Sequence, residues 1–386
     1  MRAALLAEDP WSLRVVDDWP EPQADSGQVV VAVRGVGVCG SDLALLSGHW
    51  RPPYRPWIPG HEAFGEIVAA GRGVGPERIG QRVAIEPNIP CSACPACRSG
   101  LTSACPDRRS LGFSAPGTLA EKIAVPAEFA WEVPSDWSDE DAVCTEPLTV
   151  ALAAIRRSGV SGFADGVRCL VVGAGSQGAM LCAGLVASGL RPHVIEPHAG
   201  RRELAASLGA AVAGADDAAF DVVFETSGTS AALADAVERT AAGGTVVLIG
   251  LASESAPLAT EVVVRRQLRI QGSLTYDHPG DFATVIKRNL RPGRVLRACY
   301  PLAEAERAFR SAQEVPGKTW IRLSEKVLVR KVGQDGGQAV VVGGDAGFGA
   351  AQAVEQDETG AIAELLVAQP GLAHSGQVEA ARDGQA

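Results

Sequence analysis

A glycine-rich turn between an apolar strand and an apolar helix is the feature that most constrains the fold of this chain. The run CLVV at 169–172 leads directly into GAGSQG at 173–178, and an alanine-rich helical stretch follows. Glycines in this pattern allow a tight turn, close approach of the backbone to a pyrophosphate, and close packing of the helix on the strand. The free N–H groups of the helix N-terminus then face the phosphates. The sequence therefore predicts a dinucleotide site at Gly173, Gly175, Ser176, Gln177 and Gly178.

An acidic residue at the end of the next predicted strand indicates which dinucleotide binds. Glu196 follows the last glycine of the turn by 18 residues, where a carboxylate accepts hydrogen bonds from the ribose hydroxyls of the adenosine. The same carboxylate would repel the 2′-phosphate of NADP, so we expect NAD. NADP is the less favoured alternative: Arg201 and Arg202 lie nearby and could bind its phosphate, although solvated charge at a helix start is the simpler interpretation.

Two kinds of local pattern divide the chain. The first 145 or so residues contain short valine-rich runs separated by glycine and proline, which predict a partly open β-barrel. From about residue 149, alanine-rich helical stretches alternate with short apolar β runs, as in βαβ units that build a parallel sheet. The sequence after residue 324 has few aromatic anchors, and we expect most of it to be mobile, although 361–367 could form a short helix.

Four cysteines within one short stretch predict a metal-bound lobe. Their spacing is Cys-x2-Cys-x2-Cys-x7-Cys, and four thiolates can close a tetrahedral shell around Zn2+ at about 2.3 Å. Such a shell leaves no open position, so this zinc should hold a loop in shape rather than catalyse. Two disulfides or four unrelated buried thiols are the alternatives, and the metal-like spacing disfavours them. The four residues are Cys91, Cys94, Cys97 and Cys105.

Three further residues could form a second metal site. Cys39 in VCGSD and His61 in PGHE supply a thiolate and an imidazole, and Glu146 in CTEPL stands where the two sequence patterns meet. A catalytic zinc needs three protein ligands and one exchangeable position. Taken singly, they are equally a buried thiol, a core histidine and a helix N-terminal acid. Their occurrence together with the cysteine lobe and the glycine-rich turn favours the catalytic interpretation.

Bulk composition excludes several other classes of protein. Hydrophobic residues make up 46% of the 386 residues, and the formal net charge is −10, which argues against non-specific nucleic-acid binding. No apolar run approaches the roughly 20 residues that cross a bilayer, and no secretory leader is recognisable. We therefore expect no nucleic-acid or membrane partner, and a cytoplasmic, reducing location that suits nine cysteines.

Over residues 1–324 the chain resembles the zinc-dependent medium-chain alcohol dehydrogenases. The resemblance implies a GroES-like catalytic domain, a partly open β-barrel over 1–147 and 283–325, joined to a Rossmann domain with a doubly wound parallel sheet over 148–282. Residues 326–386 would be a C-terminal tail. The motifs that match in order are VCGSD at 38–42, GHE at 60–62, the four-cysteine lobe, VVGAGSQG at 171–178, DVVFETSG at 221–228 and GGTVVLIG at 243–250.

The resemblance also assigns roles to individual residues. Cys39, His61 and Glu146 would be the ligands of the catalytic zinc, with Glu62 able to exchange onto the metal. Asp42 would orient His61, Ser41 would begin the proton relay, and Ser227 would join the cofactor-binding residues. Two zinc ions per chain and a homodimer or homotetramer, joined at the sheet edge near 272–276, are further expectations.

Two details refine this expectation. Glutamate in the EPL motif replaces the cysteine of simple alcohol dehydrogenases, and this resembles the polyol, threonine and cyclitol dehydrogenases; SGHW at 47–50 and VIEP at 194–197 point to cyclitols or aminocyclitols. Many relatives place a relay histidine five residues after the zinc-binding cysteine, where this chain has Ala44. The relay would then end at the cofactor ribose and water, or His49 would replace the missing group; His49 could equally be a surface residue.

The predicted function is zinc-dependent hydride transfer between NAD and a secondary alcohol or ketone of a polyol, cyclitol or aminocyclitol-like substrate. An NAD(P)H-dependent ketone or iminium reductase of a biosynthetic pathway is the alternative within enzymes. A non-catalytic nucleotide-binding protein on the same scaffold is disfavoured, because Cys39, His61, Glu62 and Glu146 are all present.

Overall fold

A seven-stranded sheet, built mainly from the N-terminal part of the chain, forms the barrel. In the computed structural model its order is β16-β17-β3-β4-β5-β9, with β8 also paired to β3. The strands are β3 (Gln28–Gly37), β4 (Glu62–Ala70), β5 (Arg82–Ile85), β8 (Lys122–Pro126), β9 (Ala130–Glu132), β16 (Leu296–Pro301) and β17 (Lys318–Arg322); smaller pairs are β1 (Ala3–Leu6) with β2 (Leu13–Val16), and β6 (Asn88–Ile89) with β7 (Arg109–Ser110).

The last strand of the barrel in sequence pairs with the first strand of the same sheet. Strand β17 pairs antiparallel with β3, where Trp320 lies opposite Gly37 and Ile321 opposite Val36. The last strand of the described unit therefore belongs to the barrel sheet. The exact domain boundaries at 147 and 282 stay a prediction.

The glycine-rich turn follows the carboxyl end of β10, an interior strand of a six-stranded, wholly parallel sheet. Its order is β12-β11-β10-β13-β14-β15, a doubly wound arrangement in which ligands bind beyond the carboxyl ends of the strands. All four residues of β10 are buried, as expected for a strand covered on both faces. The strands are β10 (Cys169–Val172), β11 (His193–Ile195), β12 (Ala211–Val212), β13 (Phe220–Glu225), β14 (Thr240–Leu248) and β15 (Arg269–Gly272).

Helices cover the faces of this sheet and connect it to the barrel. The longest of them, α4, contacts α5 closely because Gly184 leaves room for Leu152 and Ile155. The helices are α1 (Gly40–Leu46), α2 (Pro95–Arg98), α3 (Asp139–Val143), α4 (Thr145–Arg157), α5 (Ser176–Val186), α6 (Ala199–Ser207), α7 (Ser230–Arg239), α8 (Thr260–Arg266), α9 (Gly280–Arg288) and α10 (Ala305–Ser311).

The structure describes residues 1–7, 10–159, 166–214, 216–251 and 255–323, together with two short strands further on. Met1–Ser324 form one compact unit and Glu325–Ala386 another. In the second unit, β18 (Ala339–Val341) and β19 (Gln352–Val354) pair antiparallel. The predictions of a mobile tail over 326–386 and of a helix at 361–367 otherwise lie outside the described residues. Within the described ranges, every helix is too short or too polar to cross a bilayer.

A buried ion pair joins the end of α4 to the loop after β15, and both of its residues hydrogen-bond to the cysteine lobe. Arg157 at the end of α4 contacts Asp277 at 2.9 Å, with side-chain exposures of 8% and 12%. Arg157 also donates to Ser103 Oγ in the lobe, and the Ser103 N–H donates to Asp277 Oδ1. Burial works against the charge on Asp277, but these donors outweigh it and lower its pKa to about 2.

We expect Asp277→Asn to lower the free energy of unfolding by about 3 kcal/mol at pH 7, because Arg157 keeps its charge and loses its buried partner. The depressed pKa stabilises the fold above the ordinary carboxyl pKa of 3.8 and ceases to do so as pH falls toward 2. Denaturant titrations from pH 7 downward should therefore show the gap between variant and parent narrowing below pH 4. Glu261→Gln, in an exposed pair with Arg265, should change stability by less than about 0.5 kcal/mol; an equal effect of both variants would contradict the prediction.

Candidate active site

Three potential metal ligands converge where α1 and β4 begin. Cys39 is the N-cap of α1, Glu62 is the first residue of β4, and His61 directly precedes it. Their ligand atoms all lie within 4.8 Å of one another. His61 and Glu62 are buried and Cys39 is half-buried. A thiolate, an imidazole and a carboxylate form a donor set that suits zinc.

Asp42 holds two of these segments in place. Its side chain is fully buried, Oδ2 accepts from the Cys39 N–H at 3.2 Å, and Oδ1 accepts from the Gly60 N–H at 3.2 Å. The same Oδ1 lies 3.3 Å from His61 Nδ1. Burial favours the neutral imidazole, but the Asp42 carboxylate raises the pKa of His61 above its ordinary value. The predicted contact between Asp42 and His61 is therefore present. A proton held on Nδ1 in this contact would leave Nε2 free for a metal.

The Glu62 carboxylate has a partner that the sequence interpretation missed. Lys318 in β17 is fully buried, and its Nζ lies 2.7 Å from Glu62 Oε1 and 2.5 Å from Oε2. Nζ also donates to the Val38 carbonyl at 3.1 Å and to Ser176 Oγ at 3.3 Å. Burial opposes the charge of Lys318, but Glu62 raises its pKa above the usual value. In the sequence, a single lysine directly before the apolar run TWI was the one indication of a buried charge there.

Glu146 lies beside this group but is not part of it. It stands in the first turn of α4 and is 5% exposed. Burial raises its pKa to about 7, against the effect of His61, of Lys318 and of a hydrogen bond from Tyr276. Tyr276, in the loop after β15, is a second residue that the sequence interpretation missed. The structure thus brings Cys39, His61 and Glu62 together and leaves Glu146 as a close neighbour.

The cysteine lobe has the dimensions of a metal shell. The four sulfur atoms all lie within 4.8 Å of one another, and those of Cys91 and Cys97 are 4.0 Å apart. A tetrahedral zinc–sulfur shell has sulfur–sulfur distances of about 3.8 Å. Backbone N–H groups point at the sulfurs, including Cys94 N–H to Cys91 Sγ at 3.3 Å and Cys91 N–H to Cys105 Sγ at 3.4 Å. Zinc fits this lobe, and all four cysteines are unbridged.

The glycines of the turn are required by its geometry. Gly173 has φ +92°, a left-handed conformation that favours glycine. A Cβ on Gly178 would lie 2.0 Å from the Gly173 carbonyl oxygen, so only glycine allows α5 to pack this closely on β10. A Cβ on Gly175 would meet nothing within 4 Å, and this leaves open space at the helix N-terminus for a phosphate group.

A cavity of about 290 Å³ extends from the glycine-rich turn to Cys39. It is lined by residues of both sheets' ends, among them Cys39, Gly40, Gly175, Ser176, Arg201 and Thr319. Gln177 Nε2 approaches the Pro147 carbonyl at 3.4 Å, next to Glu146. A dinucleotide on the glycine-rich turn would therefore extend toward Cys39.

The remaining predicted cofactor residues, Glu196 and Ser227, follow the carboxyl ends of the strands on either side of β10. Glu196 is buried, and its two carboxylate oxygens accept from the Ala174 N–H at 2.7 Å and the His198 N–H at 2.9 Å. Ser227 follows β13 and donates to Glu225 Oε1 at 2.7 Å. Arg202 donates to the carbonyls of Glu196 and Pro197, and Arg201 borders the cavity.

The two predicted relay residues are placed differently. Ser41 is half-buried in the first turn of α1, two residues after Cys39. His49 is exposed in the bend that follows α1, and within the described residues no hydrogen bond joins it to Ser41. Aromatic side chains pack closer to the candidate ligands. The centroid of the Phe113 ring lies 5.0 Å from that of the His61 ring and 5.6 Å from that of the Trp50 ring.

Comparison with known proteins places these features in one family. Residues 25–135 match the alcohol dehydrogenase GroES-like domain, and residues 178–290 match the zinc-binding dehydrogenase domain. Sorbitol dehydrogenase of Bacillus subtilis is 30% identical over 283 residues, which cover 68% of this chain and 79% of that protein. L-Threonine 3-dehydrogenase of Pyrococcus horikoshii is 30% identical over 293 residues, covering 71% and 83%.

A solved structure has the same architecture. The alcohol dehydrogenase RspB of Escherichia coli CFT073, in complex with NADH, superposes with a TM-score of 0.77 at 26% identity and covers 84% of this chain and 99% of that one. The chain belongs to the zinc-dependent medium-chain alcohol dehydrogenase family. This confirms the predicted fold, the class of enzyme, and zinc and a nicotinamide dinucleotide as its cofactors. Both curated relatives fit the predicted polyol and threonine branch.

We expect Lys318→Met to lower the free energy of unfolding by about 3–5 kcal/mol, because it leaves Glu62 buried without a counter-charge. Adding Glu62→Gln should recover most of that loss, since the remaining pair of side chains carries no charge. Urea denaturation of the single and double variants measures both effects. Lys287→Met, at an exposed position, is the matched control. Equal destabilisation of the single and double variants would show that Lys318 contributes packing rather than charge.

Proposed function

We propose that this enzyme catalyses NAD-dependent oxidation of a secondary alcohol on a polyol or cyclitol-like substrate. One observation carries the proposal: Cys39, a member of the ligand cluster, lines the same cavity as Gly175 and Ser176 of the glycine-rich turn. A substrate alcohol held at the metal and a dinucleotide held at the turn would then lie in one cavity. Both curated relatives are named as dehydrogenases of hydroxylated small molecules, sorbitol and L-threonine.

The catalytic metal would be held by Cys39 and His61 together with a carboxylate, for which Glu146 and Glu62 are the candidates. A zinc ion there supplies Lewis-acid polarisation of the substrate oxygen, which lowers the pKa of the hydroxyl. The second zinc would be held by the four cysteines of the lobe. The Lys318 ammonium lies 2.5 Å from Glu62 Oε2, so a cation at this oxygen would have to compete with Lys318.

The chain's own residues orient the substrate and move its proton. Asp42 keeps His61 in one tautomer and thereby fixes the ring that faces the metal position. Ser41 Oγ, two residues from Cys39, would accept the hydroxyl proton and pass it outward; the relay would then end at the cofactor ribose and water or continue through His49. Phe113 packs against His61 and Trp50 and would limit access of water on that side; a nicotinamide dinucleotide held at the glycine-rich turn would supply the hydride acceptor.

Enzymatic turnover and metal content test this function together. Purified protein should hold two zinc ions per chain and produce NADH fluorescence with some of the polyols, cyclitols, amino-alcohols or simple secondary alcohols offered. Cys39→Ser should retain one zinc ion and lose turnover by at least about 1000-fold, because the Lewis acid is lost. Assays with NADH and the corresponding ketones measure the reductive direction.

Cys299→Ser is the matched control, since Cys299 is exposed and lies outside both clusters. It should keep two zinc ions and full turnover. One zinc ion in the parent protein, with no loss on Cys39→Ser, would contradict a catalytic metal at this cluster.

The choice of NAD over NADP rests on Glu196. Its carboxylate lies against the turn through Ala174, where it would face the adenosine ribose and repel a 2′-phosphate. Glu196→Ala should therefore weaken NAD binding more than NADP binding, by about tenfold in their ratio for one lost charge-assisted hydrogen bond of about 1.5 kcal/mol. Titration of cofactor against protein fluorescence measures both affinities. An unchanged ratio would refute the role of Glu196 and direct attention to Arg201.

The assembly and location are further proposals. Strand β15 is an edge strand of the parallel sheet, and Leu274 beside it is 47% exposed; this supports a homodimer, or a homotetramer built from it, through residues 272–276. Sedimentation of the full chain tests the association. We propose a cytoplasmic location, because two thiolate-based zinc sites require reduced cysteines.

A further inference from the structure

We propose that Glu225 is a positioning residue for the nicotinamide half of the bound dinucleotide, because its buried carboxylate holds the turn 226–229 beside the glycine-rich turn. The inference rests on the proposed NAD-dependent function and extends it to a residue beneath the surface of the site. Glu225 is the last residue of β13 and is 3% exposed. A carboxylate buried to this extent persists only where protein donors replace its hydrating water.

Three donors of the turn converge on one oxygen of this carboxylate. Glu225 Oε1 accepts from the Ser227 N–H at 2.7 Å, from the Ser227 hydroxyl at 2.7 Å and from the Gly228 N–H at 2.9 Å. The Ser227 hydroxyl oxygen in turn accepts from the Thr229 N–H at 3.3 Å. Gly228 has φ +69°, a left-handed conformation that favours glycine. The turn is therefore wrapped around Glu225, and the Ser227 hydroxyl is used to hold the turn itself.

The same turn is fixed to the loops on both sides of it. The Thr226 hydroxyl donates to the Gly173 carbonyl at 2.9 Å, which joins the turn to the glycine-rich turn. On the other side, the Gly250 N–H donates to the Glu225 carbonyl at 3.1 Å. A Cβ on Gly250 would lie 2.1 Å from the Gly228 nitrogen and 2.8 Å from Glu225 Oε2, so only glycine allows this approach. Glu225 thus lies where the loops after β10, β13 and β14 pack together.

The strand order relates this turn to one half of a dinucleotide. A dinucleotide on a doubly wound sheet lies across the carboxyl ends of the strands, with its pyrophosphate at the glycine-rich turn. The order β11-β10-β13 places Glu196 and Glu225 on opposite sides of that turn. Because Glu196 is proposed to face the adenosine ribose, the nicotinamide half would extend along the turn 226–229. Ser227 and Thr229 are exposed there, and Glu225 is buried below them. Its carboxylate would therefore act through the shape of the turn.

Binding of NAD and of ADP to the full chain, measured by titration calorimetry, tests this role. ADP carries the adenosine and both phosphates of NAD but lacks the nicotinamide half. Glu225→Ala leaves the inner donors of the turn without their acceptor and should weaken NAD binding about tenfold, as for one lost hydrogen bond to a charged group. Affinity for ADP should change by less than about twofold, because its binding groups lie on the other side of β10 and at the glycine-rich turn.

A conservative variant separates the hydrogen bonds from the packing of the side chain. Glu225→Gln keeps the volume and one acceptor oxygen, but a neutral acceptor holds its donors about half as strongly as an ionised one. Its NAD affinity should lie between those of Glu225→Ala and the parent, with ADP affinity again unchanged; it replaces Glu225→Ala if that variant does not fold. Glu261→Gln is the matched control, since Glu261 is exposed on α8, and it should change neither affinity.

Equal weakening of NAD and ADP binding would overturn the proposal, because Glu225 would then support the nucleotide site as a whole. Parental NAD affinity in both Glu225 variants would overturn it as well. Failure of the proposed function gives a different result: the parent protein itself would bind NAD no more tightly than ADP, or would show no dehydrogenase turnover.

Discussion

A buried ion pair between Lys318 and Glu62 connects the parts on which the site depends. Taking two charges out of water costs several kcal/mol per ion, so such a pair persists only when its geometry is good and further hydrogen bonds satisfy it. Here Lys318 also binds the carbonyl of Val38, next to the Cys39 ligand, and the hydroxyl of Ser176 in the nucleotide turn. One ammonium group therefore links the barrel strand β17, the ligand cluster and the dinucleotide site. A shift of β17 would be felt at both cofactor positions.

Glu62 and Glu146 are two candidates for one carboxylate ligand, and different parts of the fold place them. Glu62 follows His61 directly, and the pairing of Glu62 with Gly37 between β4 and β3 places both residues near Cys39. Glu146 approaches from the first turn of α4. The sequence pattern predicts Glu146 as the third ligand with Glu62 in reserve, whereas the geometry groups Glu62 with Cys39 and His61. Lys318 would compete with a metal for Glu62, and such competition would keep an exchangeable carboxylate close to the cluster.

The predictability of each feature depends on the sequence separation of its parts. The glycine-rich turn and the cysteine lobe were predictable because spacing within a few residues encodes their geometry. The barrel and parallel sheet were predictable from the two hydrophobic patterns, but strand β16, LRACYP, lacks a run of β-branched residues and was not identified. The partners Lys318–Glu62 and Tyr276–Asn88 are separated by 256 and 188 residues. No local pattern relates such residues, since their contact results from the complete fold.

The pairing of β17 with β3 has a consequence for biosynthesis. Almost all of the Met1–Ser324 unit must be synthesised before β17 can pair with β3 beside Gly37 and Val36. The six strands of the parallel sheet are complete by Gly272, so they can fold while the barrel still lacks that strand, as domains do during synthesis. Until residue 318 emerges, Glu62 lacks the lysine that is its buried counter-charge. The candidate metal cluster therefore acquires this contact near the end of the Met1–Ser324 unit, although Cys39, His61 and Glu62 are among the first residues to be made.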